Sequence, residues 1–356
     1  MKLLIAAGGT GGHVYPALAV AQELKRIDST VEIVFIGTKK GFEATIVPSH
    51  GFHLEFMEIG GLNGTSLIKK IKSALLIPQA MLATSKLISK HKPDVVFGIG
   101  GYVSGLMLIL AALKGIPTAI LEPNVVAGMT NKWLGKFVSK IYLAFEESKK
   151  YFPEEKIEKS GNPIREEILN LQPPNFSGNE KTIFIFGGSQ GARKINKSVI
   201  EMIKADVPYW KNFTFIHQTG PHDAGETKNA YQQLGIKSDV RPYFDQIMEA
   251  YAKSHFVIAR AGSSILEIAA VGRPSILIPY PYAAGHQLYN AEILVKHGAA
   301  YLLKDAECSG QTISNILKPA MQSTQILETM SRNALTFRHE NAATIIAKQF
   351  LAWAKK

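Results

Sequence analysis

The sequence predicts an α/β fold of two doubly wound, Rossmann-like halves, each built on a parallel sheet, and three observations predict it. A short β-rich apolar run, a glycine turn and a segment with apolar residues every three or four positions recur along the chain, the βα pattern of a parallel sheet. Two of these units match closely, each running strand, Gly-Gly-(Thr/Ser)-x-Gly, helix, one near the start and one near the middle. The length of 356 residues, 46% hydrophobic and 19% charged, suits two domains with a core each. Two such halves are expected to face each other across a ligand cleft.

The first unit is a strand over Lys2–Ala7, the loop Gly8-Gly9-Thr10-Gly11-Gly12-His13, and a helix with Ala17, Val20, Ala21, Leu24 and Ile27 on one face. Strand-like runs follow at Glu32–Ile36, Asp94–Ile99 and Thr118–Leu121. From about Glu147 to Lys181 the pattern lapses into charged sequence with Pro153, Pro163, Pro173 and Pro174, the composition of a linker region. A second series opens with Thr182–Phe186, the loop Gly187-Gly188-Ser189-Gln190-Gly191-Ala192, and a helix carrying Ile195, Val199, Met202 and Ile203. The last helix, roughly Asn341 to Ala354, has no strand after it and could cap either domain.

Composition narrows the class. The longest apolar stretch, Leu106 to Leu113, is far below the ~20 residues that cross a bilayer, and the first apolar run meets glycines too early for a signal peptide. A cytosolic chain that does not span the membrane is therefore expected. Its single cysteine, Cys308, forms no intrachain disulfide and no cysteine metal cluster. The net charge of +11 predicts attraction to an anion, be it nucleotide, nucleic acid or lipid surface. It is spread evenly: residues 1–164 hold 19 basic and 13 acidic side chains, and residues 165–356 hold 21 and 16. One window is free of acids, between Glu58 and Asp94, and it contains Lys69, Lys70, Lys72, Lys86, Lys90 and Lys92. There Leu67, Ile71, Leu75, Met81 and Leu82 recur at near-helical spacing, as in an interfacial helix or in an ordinary amphipathic helix with its apolar face in the core.

A glycine turn between strand and helix gathers backbone N–H groups at the positive end of a helix dipole, which suits a phosphate. Both loops qualify, and the pair points to a phosphate-bearing ligand. No G-x-x-x-x-G-K-(S/T) is present, which argues against a P-loop NTPase. The first loop lacks the third glycine of G-x-G-x-x-G, and the second strand ends at Gly37-Thr38 without a ribose-binding acid, which disfavours a nicotinamide enzyme. The seven aspartates contain no D-x-D, and no H-E-x-x-H or H-x-x-x-H cluster occurs, so no catalytic metal is expected. His13, at a helix start beside a glycine loop, fits either a general base or a helix cap. Glu267 lies in a further strand-loop-helix junction, Arg260 to Glu267, where a carboxylate could accept both ribose hydroxyls or simply complement the helix dipole.

These pieces belong to a larger set: Gly8 to His13 followed by Pro16, Pro93-Asp94-Val95-Val96, Gly100-Gly101-Tyr102-Val103-Ser104-Gly105, Glu122 with Asn124, Thr130-Asn131-Lys132, Gly161-Asn162-Pro163-Ile164-Arg165, Gly187 to Ala192, Glu267-Ile268-Ala269-Ala270, and His286-Gln287 with Asn290-Ala291. In this order and spacing the set resembles the MurG family, glycosyltransferases that add N-acetylglucosamine (GlcNAc) to lipid I in peptidoglycan synthesis. The resemblance implies a GT-B architecture, with residues 1–162 and a returning C-terminal helix 340–356 as an acceptor and membrane-side domain, and residues 163–339 as the UDP-GlcNAc domain. It implies His13 as the catalytic base, Ser189 and nearby N–H groups on the diphosphate, Glu267 on the ribose and Phe244 at the uracil. Asn124, Arg165 and Gln287 would border the donor, Thr10, Gly11 and Gly12 would face the reacting centre, and Tyr102 and Glu122 would lie on the acceptor side. It further implies an inverting, metal-independent reaction with no cofactor, on a peripheral protein at the cytoplasmic face of the bacterial inner membrane, and a lipid-linked acceptor favours the acid-free window with Lys69, Lys70, Lys72 and Lys86 as the helix that docks on the anionic surface. Two rivals share parts of the reading: another GT-B glycolipid glycosyltransferase or UDP-GlcNAc 2-epimerase, and a nucleic-acid-binding protein prompted by charge alone. The second lacks an aromatic-basic strand or helix-turn-helix signature, so no nucleic-acid partner is expected.

Overall fold

The computed structural model describes residues 1–39, 41–57, 67–178, 180–282 and 285–355, without the side chains of residues 67–77. It forms two compact units, Met1–Arg165 with His339–Lys356, and Glu166–Arg338.

The first unit is built on a seven-stranded parallel sheet: β1 (Lys2–Ala6), β2 (Glu32–Gly37), β3 (His53–Phe56), β4 (Val95–Gly98), β5 (Thr118–Glu122), β6 (Lys140–Leu143) and β7 (Ile157–Glu158), in the order β3-β2-β1-β4-β5-β6-β7. The inner strand β1, between β2 and β4, is apolar on both faces because both are covered. Leu3 and Ile5 enter one core with Ala17, Val20 and Leu24 of α1 (Gly11–Ile27), while Leu4 and Ala6 enter the other with Met107 and Leu108. The side-chain alternation of a strand thus divides four consecutive residues, Leu3 to Ala6, between two cores. The remaining helices here are α2 (Glu43–Ser49), α3 (Leu67–His91), α4 (Gly101–Leu113) and α5 (Met129–Leu134). The terminal helix Ala342–Ala354 packs on α1, and its Phe350 ring lies 5.3 Å from that of Phe97 and 6.3 Å from that of Tyr142.

The charged stretch after Glu147 differs from the expected linker in its first part. It makes two short 3₁₀ turns, Glu146–Tyr151 and Glu154–Lys156, and then β7, which pairs with β6 at the sheet edge. Two residues are too few for an alternating pattern to be visible in sequence.

The second unit repeats the design with β8 (Lys181–Phe186), β9 (Phe213–Gln218), β10 (Ser238–Arg241), β11 (Phe256–Ala259), β12 (Ser275–Leu277) and β13 (Ala300–Leu302), all parallel, ordered β10-β9-β8-β11-β12-β13. Ile183 and Ile185 of β8 pack with Ile195, Val199 and Ile203 of the helix Arg193–Ala205. In both sheets the strand order reverses beside the first strand, between β1 and β4 and between β8 and β11. The carboxyl ends of those strands are where open α/β sheets bind ligands.

Candidate functional site

The expected site residues of the first unit follow the carboxyl ends of β1, β4, β5 and β7. After β1 the chain passes Gly8 and Gly9, the latter at φ +100°, to exposed Thr10. The Thr10 carbonyl accepts the N–H groups of His13 (3.0 Å) and Val14 (3.3 Å), which starts α1 with Gly11 and Gly12 in its first turn. Half-buried His13 has Nδ1 3.1 Å from the Gly8 carbonyl oxygen. A carbonyl only accepts, so Nδ1 carries the hydrogen, and in the neutral ring Nε2 keeps its lone pair.

The Gly8–Gly9 turn is held from behind by Glu43, a residue the sequence reading missed. Glu43 is fully buried at the start of α2, seated by the edge-on contact of its neighbour Phe42 with Tyr15 of α1. Its Oε2 accepts the Gly9 N–H at 2.9 Å, and its Oε1 accepts the Thr38 N–H (2.7 Å) and hydroxyl (2.9 Å). The available signal was the run Gly37-Thr38, Gly41, Glu43. The strand end that lacks a ribose acid supplies a carboxylate a few residues later, aimed at backbone instead.

Tyr102 stands in the first turn of α4, where partial burial pushes its phenol pKa up. The Ser104 hydroxyl ties that turn to β1 by donating to the Ala6 carbonyl at 2.6 Å. Glu122 ends β5 and is buried. It accepts from Asn124 N–H (2.9 Å), Asn124 Nδ2 (3.0 Å), Gly128 N–H (2.9 Å) and Asn131 Nδ2 (2.9 Å), while burial pushes its carboxyl pKa up against those donors. Its oxygens therefore shape the loop that presents Asn124. Arg165 is buried with its guanidinium 4.1 Å above the Tyr15 ring, a cation–π contact that fixes it against α1.

In the second unit the expected residues follow β8, β10, β11 and β12. Gly191, at φ +77°, lies so close to Thr219 that a Cβ there would be driven into the Thr219 carbonyl. Gly220, at φ +80°, meets Gln190 in the same way. Only glycines let these two backbones touch. The contact sets the loop carrying exposed Ser189 and delivers it to the N-terminus of the helix Arg193–Ala205.

Two buried side chains brace this loop, and sequence reasoning found neither. Gln218 donates to the Gly188 carbonyl (3.1 Å) and accepts the Phe244 N–H (3.0 Å), linking the loop after β8 to the loop after β10. Asn196 donates to the Thr219 carbonyl (2.9 Å) and to Asp223 (2.8 Å), and its Oδ1 lies 3.0 Å from Nε2 of His217. The His217 Nδ1 lies 3.1 Å from the Tyr231 hydroxyl. One assignment satisfies the series: Tyr231 donates to Nδ1, and Nε2–H donates to Asn196. The imidazole is wholly buried, which pulls its pKa down to about 3 and keeps it neutral.

The Phe244 ring itself is buried against Phe184, with Arg241 above it at 4.6 Å. Glu267 occupies the first turn of the helix Ile265–Ala270 and is partly exposed. Gln287 opens the helix His286–Lys296, and its Oε1 accepts the Tyr280 N–H at 2.8 Å. Among the described residues no group of three or more His, Cys, Asp or Glu is arranged to hold a metal ion.

Comparison with known proteins places this geometry in a family. Residues 3–143 match the glycosyltransferase family 28 N-terminal domain, and residues 182–349 match its C-terminal domain. A relative from Geotalea daltonii, a UDP-N-acetylglucosamine--N-acetylmuramyl-(pentapeptide) pyrophosphoryl-undecaprenol N-acetylglucosamine transferase, is 38% identical over 354 residues, covering 98% of this chain and 97% of its own. The crystal structure of Acinetobacter baumannii MurG superposes with a TM-score of 0.77 at 26% identity over 99% of both chains. A UDP-N-acetylglucosamine 2-epimerase structure reaches 0.70 at 14% identity over 100% of this chain and 97% of its own, a likeness of fold alone.

Proposed function

The chain belongs to the MurG family, and from that membership we propose that it moves GlcNAc from UDP-GlcNAc to the 4-hydroxyl of the N-acetylmuramyl residue of lipid I, giving lipid II. The observation that carries this reading is sequence identity sustained across both glycine-loop units. The second unit supplies the nucleotide site. Ser189 and the adjacent N–H groups hold the diphosphate at a helix N-terminus, and Glu267 accepts the ribose hydroxyls. Since Gln218 already takes the Phe244 N–H, the uracil contact at this residue falls to its carbonyl.

The first unit supplies the base. Nε2 of His13 takes the proton from the acceptor hydroxyl as its oxygen attacks the anomeric carbon. The bond from that carbon to the diphosphate breaks with inversion, and UDP departs. Charge on the leaving UDP is met by loop N–H groups and the helix dipole, which is why we propose a metal-independent reaction. Thr10, Gly11 and Gly12 face the reacting centre. Asn124, Arg165 and Gln287 border the donor, Tyr102 lies on the acceptor side, and Glu122 acts by holding the Asn124 loop.

A lipid-linked acceptor requires the enzyme to reach a bilayer, and no helix among the described residues is long and apolar enough to cross one. We assign docking on the cytoplasmic face to the exposed surface of α4, α5 and the turn after it. Leu113, Met129, Trp133 and Phe137 are 73%, 78%, 61% and 52% exposed there, with Lys132 and Lys136 among them. Met81, Leu82 and Lys86 of α3 are also exposed, whereas the side chains of Leu67, Lys69, Lys70, Ile71, Lys72 and Leu75 lie outside the described residues. Exposed aromatic and apolar side chains beside lysines suit an anionic leaflet.

The test is transfer of labelled GlcNAc from UDP-GlcNAc to a lipid I analogue with EDTA present. Labelled lipid II in undiminished yield is expected. Loss of transfer with EDTA would overturn metal independence, and acceptor-free conversion of UDP-GlcNAc to its epimer would favour the epimerase reading.

A further inference from the structure

We propose that Glu43 is a positioning residue for the base, acting on His13 through the Gly8–Gly9 peptide group; this rests on His13 being the base. One peptide unit joins the two side chains. Its N–H, on Gly9, donates to Glu43 Oε2 at 2.9 Å, and its carbonyl, on Gly8, accepts from His13 Nδ1 at 3.1 Å. The arrangement is a carboxylate and an imidazole with an amide between them. An N–H that donates to an anion shifts electron density toward its own carbonyl oxygen and makes that oxygen a stronger acceptor. The stronger acceptor keeps the hydrogen on Nδ1, so the lone pair stays on Nε2, and it fixes the ring plane as a directly bonded partner would.

The surroundings are built for this carboxylate. Glu43 is fully buried, and a Cβ at Gly8, Gly37 or Gly41 would collide with its side chain. Among the described residues every polar group that bonds it is a donor: the Thr38 N–H, the Thr38 hydroxyl and the Gly9 N–H. A carboxylate satisfies all of them, whereas an amide of the same shape turns an NH₂ toward one of the N–H groups. Burying a carboxylate among three glycines is a costly way to secure a turn. A control over the tautomer and aim of the base accounts for it.

The experiment is a double-mutant cycle on the full chain with E43Q, H13A and E43Q/H13A, measuring kcat and the KM for UDP-GlcNAc, together with the ¹⁵N ring signals of His13 in the E43Q protein. E43Q is expected to lower kcat about 10-fold or more with the donor KM within about twofold, and to lower kcat less than about twofold once His13 is gone. The ring signals are expected to show a rise in the Nε2–H tautomer. An equal loss of kcat in both backgrounds, or an unchanged tautomer in E43Q, would overturn the proposal. Full activity in H13A would instead remove the base assignment, and the tautomer measurement would still decide whether Glu43 holds the ring. If E43Q fails to fold, E43D keeps the charge but draws the carboxylate back from Gly9, and it must show the same split between kcat and KM.

Discussion

Behind the loop of residues 8–13 sits a buried carboxylate, and behind the loop of residues 187–192 sit two carboxamides. The loops share a pattern of glycines, but Glu43 grips the first through an N–H, while Gln218 and Asn196 reach the second through the carbonyls of Gly188 and Thr219. The difference follows charge. A loop that receives a diphosphate gains from every N–H left to its ligand and loses from any anion behind it. Neutral braces that bind the carbonyls of Gly188 and Thr219 take no loop N–H from the diphosphate we propose there. The carboxylate in this layer, Asp223, lies beyond Asn196 and 3.8 Å from Arg193. A loop that presents a histidine has no such conflict, and an anion behind it favours the tautomer a base needs.

The sharpest way to break the comparison is an added methyl group on each loop. Gly9 and Gly191 both have positive φ, but a Cβ on Gly9 meets nothing within 4 Å, whereas one on Gly191 meets the Thr219 backbone. G9A is expected to cost only the left-handed strain, ~1–2 kcal/mol. G191A adds a clash between two backbones, which no side-chain movement relieves, so UDP affinity should fall on the order of 10²-fold or more. Calorimetric titration with UDP and a melting curve for each variant check this. Equal effects of the two substitutions would mean that the loops are held alike.

On the donor side alone, E267A is expected to weaken UDP binding by ~1.5–3 kcal/mol, the value of a charge-assisted hydrogen bond. The KM for the lipid acceptor should not move. Unchanged UDP affinity in the folded variant would take Glu267 out of the ribose role.

The neutral brace makes a pH prediction that the carboxylate brace does not. The His217 pKa falls from an ordinary 6.5 to about 3 on folding, so between those values the unfolded chain binds a proton that the folded chain does not. Stability from this group is complete above pH 6.5 and is lost as pH falls, at up to about 1.4 kcal/mol per pH unit. In urea unfolding at pH 7 and pH 5.5, the native chain should lose about 1 kcal/mol more than H217Q. His255 and His339 are also depressed by burial, but they remain in both proteins and cancel. Identical pH dependence would mean that His217 is not held neutral.

How much of this was legible beforehand depended on whether the function of a residue lies in its neighbours along the chain. The glycine loops, His13 and Glu267 stand at strand-helix junctions, and junctions are written in consecutive residues. Glu43, Gln218 and His217 act across 34, 30 and 21 residues of sequence on Gly9, Gly188 and Asn196, and nothing local marks them. Glu122 was legible as a residue of interest, but its position beside Asn124 concealed that its oxygens are spent on its own loop. β7 and the 3₁₀ turns before it escaped notice because surface segments with proline and charge look like a linker whether or not a sheet edge holds them. The periodicity of the terminal helix left either unit open to it and only the resemblance implied a return to the first, whereas the packed rings of Phe350, Phe97 and Tyr142 identify the surface it covers.

The smallest expected effect concerns the membrane surface, where the first unit differs from the second in carrying the docking residues we propose. Lys136 is exposed on the turn after α5, with its Nζ 5.1 Å from the centre of the exposed Trp133 ring. A cation beside an indole at a surface is the arrangement that anchors proteins at headgroup level, the ring reaching the acyl boundary and the charge remaining among phosphates. One lysine near an anionic leaflet contributes ~1 kcal/mol, so K136Q should reduce partitioning onto anionic vesicles about fivefold. The loss should shrink as salt rises and should disappear on neutral vesicles, because it is Coulombic. W133A should weaken binding to both vesicle types, because it removes apolar burial. Neither variant should alter turnover on a short-chain soluble acceptor, which needs no surface. Equal loss on neutral and anionic vesicles in K136Q would assign that lysine to packing against Trp133 rather than to the lipid, and vesicle binding unchanged in both variants would move the docking surface away from α5.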